Sequence, residues 1–169
     1  GYMLLEAEAD LQAHALFRAL GVEPLGNELD GAVLAKRAAG RRADLKAFLM
    51  DQRNIAGLGN IYVCEALFRA GLSPRRRAGT LAGRGGKPTE RTARLVPAIR
   101  QVLTEAVEAG GSTLRDYRQP DGRAGAFQDR HDVYDREGED CRKPGCGGII
   151  RRITQAGRFL RDLATAGDG

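Results

Sequence analysis

The sequence lacks long apolar runs and has few cysteines. No apolar stretch among its 169 residues approaches the ~20 residues that a membrane-spanning helix needs. Its first residues carry acidic side chains where a signal peptide would carry basic ones. Three cysteines do not make a disulfide framework. These features exclude an integral membrane protein and a disulfide-rich secreted one, and they predict the reducing cytoplasm as the compartment.

The sequence also has no methionine at its first position. The opening letters, GYMLLE, are typical of the end of a strand. We therefore expect an upstream segment to be missing, with residues 1–22 forming the end of another domain and a linker.

Charge is unevenly distributed along the chain, whose net charge is +5. Residues 1–35 carry six acids and one base, whereas residues 36–77 carry ten bases and three acids. Residues 141–162 carry six bases and one acid. Two basic blocks are typical of a protein that binds a polyanion, most simply nucleic acid, although a solvated basic surface has the same composition.

Capping residues predict three helices in the first half of the chain. Asp30 can cap a helix that ends at Gly40. Residues 41–52 have the composition of a second helix. A third is predicted to start on Asn60 as its N-cap and to stop at Gly71.

The longest predicted helix spans roughly residues 90–109, and a different pattern follows it. Its apolar residues recur every three or four positions, which predicts one buried face made of Val96, Ile99, Leu103 and Val107. Pro97 lies inside it and predicts a kink or a later start. From about His131 the sequence predicts a short strand, a cysteine turn and a β-hairpin.

A glycine-broken turn precedes the third helix. Gly57 and Gly59 would let the backbone approach a ligand closely, and the helix N-terminus offers unpaired N–H groups. Asn60 could both cap the helix and donate its side-chain amide. These features predict an anion site for a phosphate, and an ordinary glycine turn with an asparagine cap is the alternative.

Basic residues flank this turn, namely Arg41, Arg42, Lys46 and Arg53. Arg42 and Lys46 are four positions apart, so they share a face if the second helix extends that far. A solvated helix face is the alternative. Together the two features favour a helix-turn-helix-like element that grips phosphates.

Cys141 and Cys146 flank a turn before the predicted hairpin, which is half of a zinc site. Cys64 lies inside the third helix and is predicted to belong to the core. Arg158 would sit at the hairpin tip, where a guanidinium suits a phosphate, or it is a surface arginine.

Three motifs together resemble the C-terminal half of bacterial formamidopyrimidine-DNA glycosylases. LKAFLMDQRNIAGLGNIYVCEALFRAGLSP is similar to that family's helix-two-turn-helix motif. EAGGSTLRDYRQPDGRAGAF resembles its lesion-capping loop, and VYDREGEDC with its following residues resembles its zinc finger. The linked endonuclease-eight branch shares this architecture, whereas the QPDG loop favours the formamidopyrimidine branch.

The resemblance implies a mainly α fold in which a helix-two-turn-helix domain (23–112) precedes a lesion-capping loop region (113–130). A small, incomplete β-hairpin zinc-finger-like element (131–169) follows. It also implies roles for individual residues. Backbone contacts to double-stranded DNA are implied for Arg42, Lys46 and Asn60, and Arg158 is implied to enter the minor groove at the lesion. Gly57 and Gly59 of the glycine turn complete the predicted DNA-binding residues. Arg158 is also implied as the proton donor for δ-elimination, and closure over the lesion is implied for Thr113, Leu114, Arg115, Asp116 and Tyr117.

The resemblance also shows what the sequence lacks. The family's attacking N-terminal proline and the glutamate after it have no counterpart, and only one cysteine pair, Cys141 and Cys146, stands where the family has two to bind zinc. We therefore expect the DNA-binding part of a bacterial base-excision glycosylase/AP lyase. Its partner would be duplex DNA with oxidised purines or abasic sites, bound by a monomer in the cytoplasm at the nucleoid. A catalytically silent damaged-DNA-binding module, or a truncated remnant, is the alternative.

Overall fold

The computed structural model describes residues 20–111, 127–153 and 155. Within these residues four α-helices follow one another along the chain, and the mainly helical fold class is confirmed. They are α1 (Gly31–Ala38), α2 (Leu45–Met50), α3 (Asn60–Ala70) and α4 (Glu90–Glu108). Short 3₁₀ turns occupy Ala78–Leu81, Arg84–Gly86 and Phe127–Arg130. In this part of the chain no helix combines the length and the apolar character that crossing a bilayer requires.

Local capping sets the ends of α1 and α3, as the sequence predicts. The carboxylate of Asp30 accepts a hydrogen bond from the Val33 N–H at 2.7 Å and starts α1. Gly71 adopts the left-handed conformation with φ of 66°. This allows the Leu72 N–H to donate to the Leu67 carbonyl at 2.9 Å and so to end α3.

Helix α2 is shorter than the predicted helix over residues 41–52. The carboxylate of Asp44 accepts from the Ala47 N–H at 3.0 Å, so the helix begins only at Leu45. The residues before it run extended beside the segment 76–79, and the Leu45 N–H donates to the Arg76 carbonyl at 2.7 Å. This pairing across the chain competes with helix formation in a way that local sequence does not reveal.

The main core lies between α3 and α4, with α1, α2 and the first 3₁₀ turn packed against them. Its buried side chains from the two long helices include Val63, Leu67, Leu95, Ile99, Val102 and Leu103. Burying each of the larger ones is worth roughly 1.5–3 kcal/mol. Val107 was wrongly placed on the buried face: it is 68% exposed, because the face rotates to Val102 and Ala106 near the end of α4.

Pro97 lies within α4, yet the helix is continuous from Glu90 to Glu108, so the predicted later start is wrong. Proline removes the hydrogen bond to the carbonyl four residues earlier, on Ala93. Both Ala93 and Pro97 are exposed, so water can donate to that carbonyl.

The segment 127–153 is attached to α3 by a second, smaller cluster. Cys64 and Phe68 of α3 pack against Val133 and Ile150 in this cluster. Cys64 is fully buried, which confirms its predicted place in the core.

Glu65 provides the polar part of the same attachment. Its fully buried carboxylate accepts three backbone hydrogen bonds, from the N–H groups of Asp132 (2.8 Å), Val133 (3.0 Å) and Tyr134 (2.8 Å). Burial raises the pKa of Glu65, and the three N–H donors oppose that rise. One carboxylate therefore fixes the path of three consecutive residues.

An ion-pair network surrounds this attachment. Arg69 binds Glu105 of α4 at 2.7 Å and Asp132 at 3.1 Å. Burial favours a higher pKa for Glu105, but the hydrogen bonds from Arg69 and Gln101 and the charge of Arg69 together outweigh it, and the pKa lies below its ordinary value. Arg69 thus links α3 both to α4 and to the C-terminal segment.

The predicted strand after His131 and the predicted hairpin are not present among the described residues. The N–H groups of residues 132–134 bond to Glu65 instead of to a neighbouring strand. Between residues 131 and 153 the pairing is an isolated antiparallel bridge between Asp140 and Ile149, with backbone hydrogen bonds that link residues 138–141 to residues 148–150 around it. Most of the proposed return strand lies outside the described residues.

Replacing Glu65 with Gln should destabilise the protein. The amide cannot accept from all three N–H groups, and its NH₂ would face one of them. A buried donor left without an acceptor costs about 1–3 kcal/mol. Chemical denaturation at neutral pH measures this loss, with Glu108→Gln, the same charge change at an exposed position, as the control. Equal stability of Glu65→Gln and the parent would contradict the role of the carboxylate.

His131 makes this region sensitive to acid. Its ring is buried between Phe127 and Tyr134, with centroid distances of 5.1 and 5.4 Å, and its Nε2 has no hydrogen-bond partner. Burial lowers the pKa of His131 below its ordinary value of 6.5. The unfolded chain therefore binds the proton more readily, and stability conferred by the neutral ring is lost as the pH falls below about 6.5.

We expect the thermal midpoint to fall more steeply between pH 7.5 and 5.5 in the parent protein than in His131→Phe. Phenylalanine keeps the aromatic packing but cannot take up a proton. Identical slopes for the two proteins would show that His131 does not titrate in this range.

Candidate nucleic-acid interface

The turn between α2 and α3 is shaped by the side chain of Gln52. Its Nε2 donates to the Leu58 carbonyl at 3.2 Å, and its Oε1 accepts from the Gly57 N–H at 2.7 Å. Asn54 donates to the Phe48 carbonyl at 2.8 Å. These bonds hold the turn from inside, while Gly57 and Gly59 stay exposed.

The turn is also fixed from outside by the segment that precedes α1. The Ala56 N–H donates to the Val22 carbonyl at 3.0 Å, and the Gly21 N–H donates to the Gln52 carbonyl at 2.7 Å. Ile55 and Leu58 are buried in the main core. The exposed glycines are therefore carried on a turn whose other residues are anchored.

The N-terminus of α3 differs from the predicted arrangement in one respect. The N-cap is Gly59 and not Asn60, and no side chain caps the helix. Asn60 is the first helical residue, and its Oδ1 accepts from the Cys64 thiol at 3.7 Å. The side chain of Asn60 thus bonds within α3 and does not cap the helix. The N–H groups of Ile61 and Tyr62 therefore have neither an intrahelical acceptor nor a side-chain cap.

The approach to this helix end is open. Gly57 has a φ of 73°, a conformation that residues with a Cβ rarely adopt. No atom lies within 4 Å of where a Cβ would stand on Gly57 or on Gly59. Open space, unpaired N–H groups and the positive end of the helix dipole together make a site for an anion.

The bases predicted to flank the turn are arranged unequally. Arg53 is 76% exposed and pairs with Asp51 at 2.7 Å. The hydrogen bond from Arg53 lowers the pKa of Asp51. Arg41 and Arg42 are exposed. These three guanidinium groups give the surface beside the turn a positive charge.

Arg42 and Lys46 do not share a helix face, because α2 begins at Leu45. Lys46 is only 1% exposed, so its side chain is enclosed by protein and not presented at the surface beside Arg42. An apolar environment usually excludes a lysine, and no local feature of the chain indicates that this one is buried.

Cys141 and Cys146 lie close enough for their thiols to interact. Burial raises the pKa of the Cys141 thiol, and the nearby Cys146 adds to that rise. Among the described residues no third histidine, cysteine or carboxylate joins them. Two cysteines supply only half of the four ligands that a closed zinc site needs.

Several predicted site residues lie outside the described residues. These are the lesion-loop residues Thr113, Leu114, Arg115, Asp116 and Tyr117, together with Arg158. Their roles stay predictions.

Sequence reasoning missed two residues that shape this region. A role for Gln52 was not predicted, although a glutamine side chain can accept from the N–H of a glycine five residues later. Glu65 was also missed. An acidic residue in the apolar stretch YVCEALF is the signal that it needs buried partners.

A sequence model described as the formamidopyrimidine-DNA glycosylase H2TH domain matches residues 20–118. The chain is 65% identical over 158 residues to a formamidopyrimidine-DNA glycosylase of Beijerinckia indica, a match that covers 94% of this chain and 55% of that protein. It is also 65% identical to the protein of the same name from a Chelativorans species, with 94% and 53% coverage. The chain thus spans about half the length of these curated relatives.

The solved structures that this chain is similar to are also of Fpg proteins. The MutM (Fpg) protein from Thermus thermophilus superposes with a TM-score of 0.78 at 47% identity, covering 91% of this chain and 56% of that one. Lactococcus lactis Fpg, solved in complex with DNA containing an abasic site, has a TM-score of 0.77 at 30% identity, with 89% and 52% coverage.

Proposed function

The chain belongs to the formamidopyrimidine-DNA glycosylase H2TH family, and on that premise we propose that it binds duplex DNA as the DNA-holding part of a base-excision repair glycosylase. The proposed targets are duplexes that contain oxidised purines or abasic sites. Two related structures support this choice, since Lactococcus lactis Fpg was solved with DNA containing an abasic site and with DNA containing Fapy-dG.

The observation that carries this proposal is the uncapped N-terminus of α3. Most helices satisfy their first N–H groups with a side chain from the N-cap, yet Gly59 has no side chain to offer. A DNA phosphate would take that place and accept from the N–H groups of the first turn. Such contacts are independent of sequence and set the register of the protein on the duplex.

The proposed contact residues are Gly57, Gly59, Asn60 and Arg42. The two glycines leave room for the phosphate, and Arg42 adds charge from the neighbouring segment. Lys46, which the resemblance implies as a further contact, is enclosed by protein. Holding the backbone in this way suits an enzyme that extrudes a nucleotide from the stack, because extrusion bends and strains the duplex.

The remaining parts of the proposal follow the resemblance. Residues 113–130 would form the loop that covers an everted base, and residues 131–169 a zinc-finger-like element, with Arg158 in the minor groove and donating the proton for δ-elimination. Cys141 and Cys146 supply at most half of a zinc site, so no step is assigned to the metal. We place the protein in the cytoplasm at the nucleoid, as a monomer.

Binding to damaged DNA can be measured by fluorescence anisotropy at several salt concentrations. One duplex carries a stable abasic analogue and the other is undamaged. We expect tighter binding to the damaged duplex and a steep salt dependence, because each neutralised phosphate contributes about 0.9 to the slope. Equal, weak binding to both would contradict the proposal and leave only a basic surface. Release of free 8-oxoguanine, measured in parallel, would show the catalytic function of the family in this chain.

Gly59→Asp separates the role of the helix end in binding from its role in folding. Aspartate is a better N-cap than glycine by a few tenths of a kcal/mol, and its charge favours the positive helix end. We therefore expect a slightly higher thermal midpoint but a loss of DNA affinity of roughly ten-fold or more, since a lost charge-assisted hydrogen bond is worth about 1.5–3 kcal/mol.

The control is Gly83→Asp, which adds the same charge at another exposed glycine whose φ is −87°. Equal loss of affinity in both variants would mean that net charge, and not the end of α3, governs binding.

A further inference from the structure

A row of arginines begins beside the α2–α3 turn. Arg37 donates through its Nη1 to the Arg53 carbonyl at 2.6 Å, so the end of α1 touches the turn. Arg41 donates through its Nε to the Arg37 carbonyl at 3.4 Å. The row is therefore joined to the turn by direct contacts.

Backbone pairing extends this row to a second basic segment. The Gly79 N–H donates to the Arg41 carbonyl at 3.0 Å, and Asp44 forms an antiparallel bridge with Arg77. The sequence PRRR, far away along the chain, is thereby brought beside RR at positions 41 and 42. We call the resulting surface the arginine strip; its members are Arg37, Arg41, Arg42, Arg75 and Arg77.

The arginines of the strip form no ion pairs among the described residues. Four of the five are exposed. Two carboxylates in the neighbouring segments have other partners: Asp51 binds Arg53, while the charge of Arg41 helps to lower its pKa, and Asp44 caps α2. By contrast, Arg69, Arg136 and Arg152 around the C-terminal segment all bind acidic partners.

This contrast distinguishes structural arginines from arginines that are left for a ligand. Guanidinium groups bind phosphate oxygens in a bidentate fashion, so a row of them suits a polyphosphate backbone better than a single small anion.

We propose that the arginine strip is a second phosphate-binding surface, which follows one strand of the duplex away from the phosphate held at the N-terminus of α3. This inference rests on the proposed function and extends its contact area to Arg37, Arg41, Arg75 and Arg77. The strip contributes affinity and not damage selectivity, because phosphates are the same in damaged and intact DNA.

The double variant Arg75→Gln/Arg77→Gln tests the strip. Neither guanidinium makes a hydrogen bond to a described residue, so the fold should be retained, and the thermal midpoint checks this. We expect the slope of log K against log salt to fall by about 2 and the affinity to fall equally for damaged and undamaged duplexes. The control, Arg84→Gln/Lys87→Gln, removes the same charge from two exposed positions outside the strip.

Duplex length provides a second readout. Removing three base pairs from one side of the lesion should weaken binding by the parent protein, and it should weaken the Arg75/Arg77 variant much less. Equal slopes for this variant and the control, with normal binding by the parent, would overturn the strip while leaving the proposed function intact. Failure of the parent to bind any duplex would overturn both.

Discussion

The hydrogen bonds between the Glu65 carboxylate and three consecutive backbone N–H groups hold the two described parts of this chain together. Residues 127–153 contain no described helix longer than a 3₁₀ turn and no strand, so they have little structure of their own to maintain. Their position is set by the buried carboxylate of α3 and by the small apolar cluster around Phe68. A buried, ionised carboxylate without donors is strongly unfavourable. Glu65 therefore needs the N–H groups of this segment, and the segment is held in place by bonding to Glu65.

Helix α3 consequently has three roles at different points along its length. Its N-terminus is left open at Gly59, its middle carries Glu65, and its C-terminus is closed at Gly71. One apolar face packs on α4 in the main core, and Cys64 and Phe68 face the second cluster. A ligand bound at the open end and the C-terminal segment are therefore held by the same rigid helix, which fixes the geometry between them.

Much of this fold could be predicted from local sequence signals. Asp30, Gly71 and the spacing of apolar residues in α4 act within a few residues, so the start of α1, the end of α3 and the extent of α4 agree with the prediction. The errors arose where distant segments meet. Residues 41–44 look helical but pair with 76–79, and the segment after His131 looks like a strand but bonds to Glu65. Asn60 is a good N-cap by composition, yet Gly59 takes that position and leaves the site open.

The sequence predicts that an anion site lies at the start of α3, but it predicts only some of the residues around that site. The order of glycine, glycine and asparagine before a helix predicts an anion site because the chemistry is local. The burial of Lys46 and the meeting of two arginine segments depend on tertiary contacts that no spacing rule contains. Among the described residues, some arginines bind acids and hold the fold, as Arg69 does, whereas others, such as Arg75 and Arg77, are exposed and form no ion pair.

Amide hydrogen exchange, followed by NMR with and without a duplex carrying an abasic analogue, tests the central claim that α3 joins a DNA-binding end to an anchored C-terminal segment. The account predicts that the amides of Asp132, Val133 and Tyr134 are protected in the free protein, and that those of Ile61 and Tyr62 gain protection only when the duplex is bound. Rapid exchange at residues 132–134 in the free protein, or no change at Ile61 and Tyr62 on binding, would contradict it.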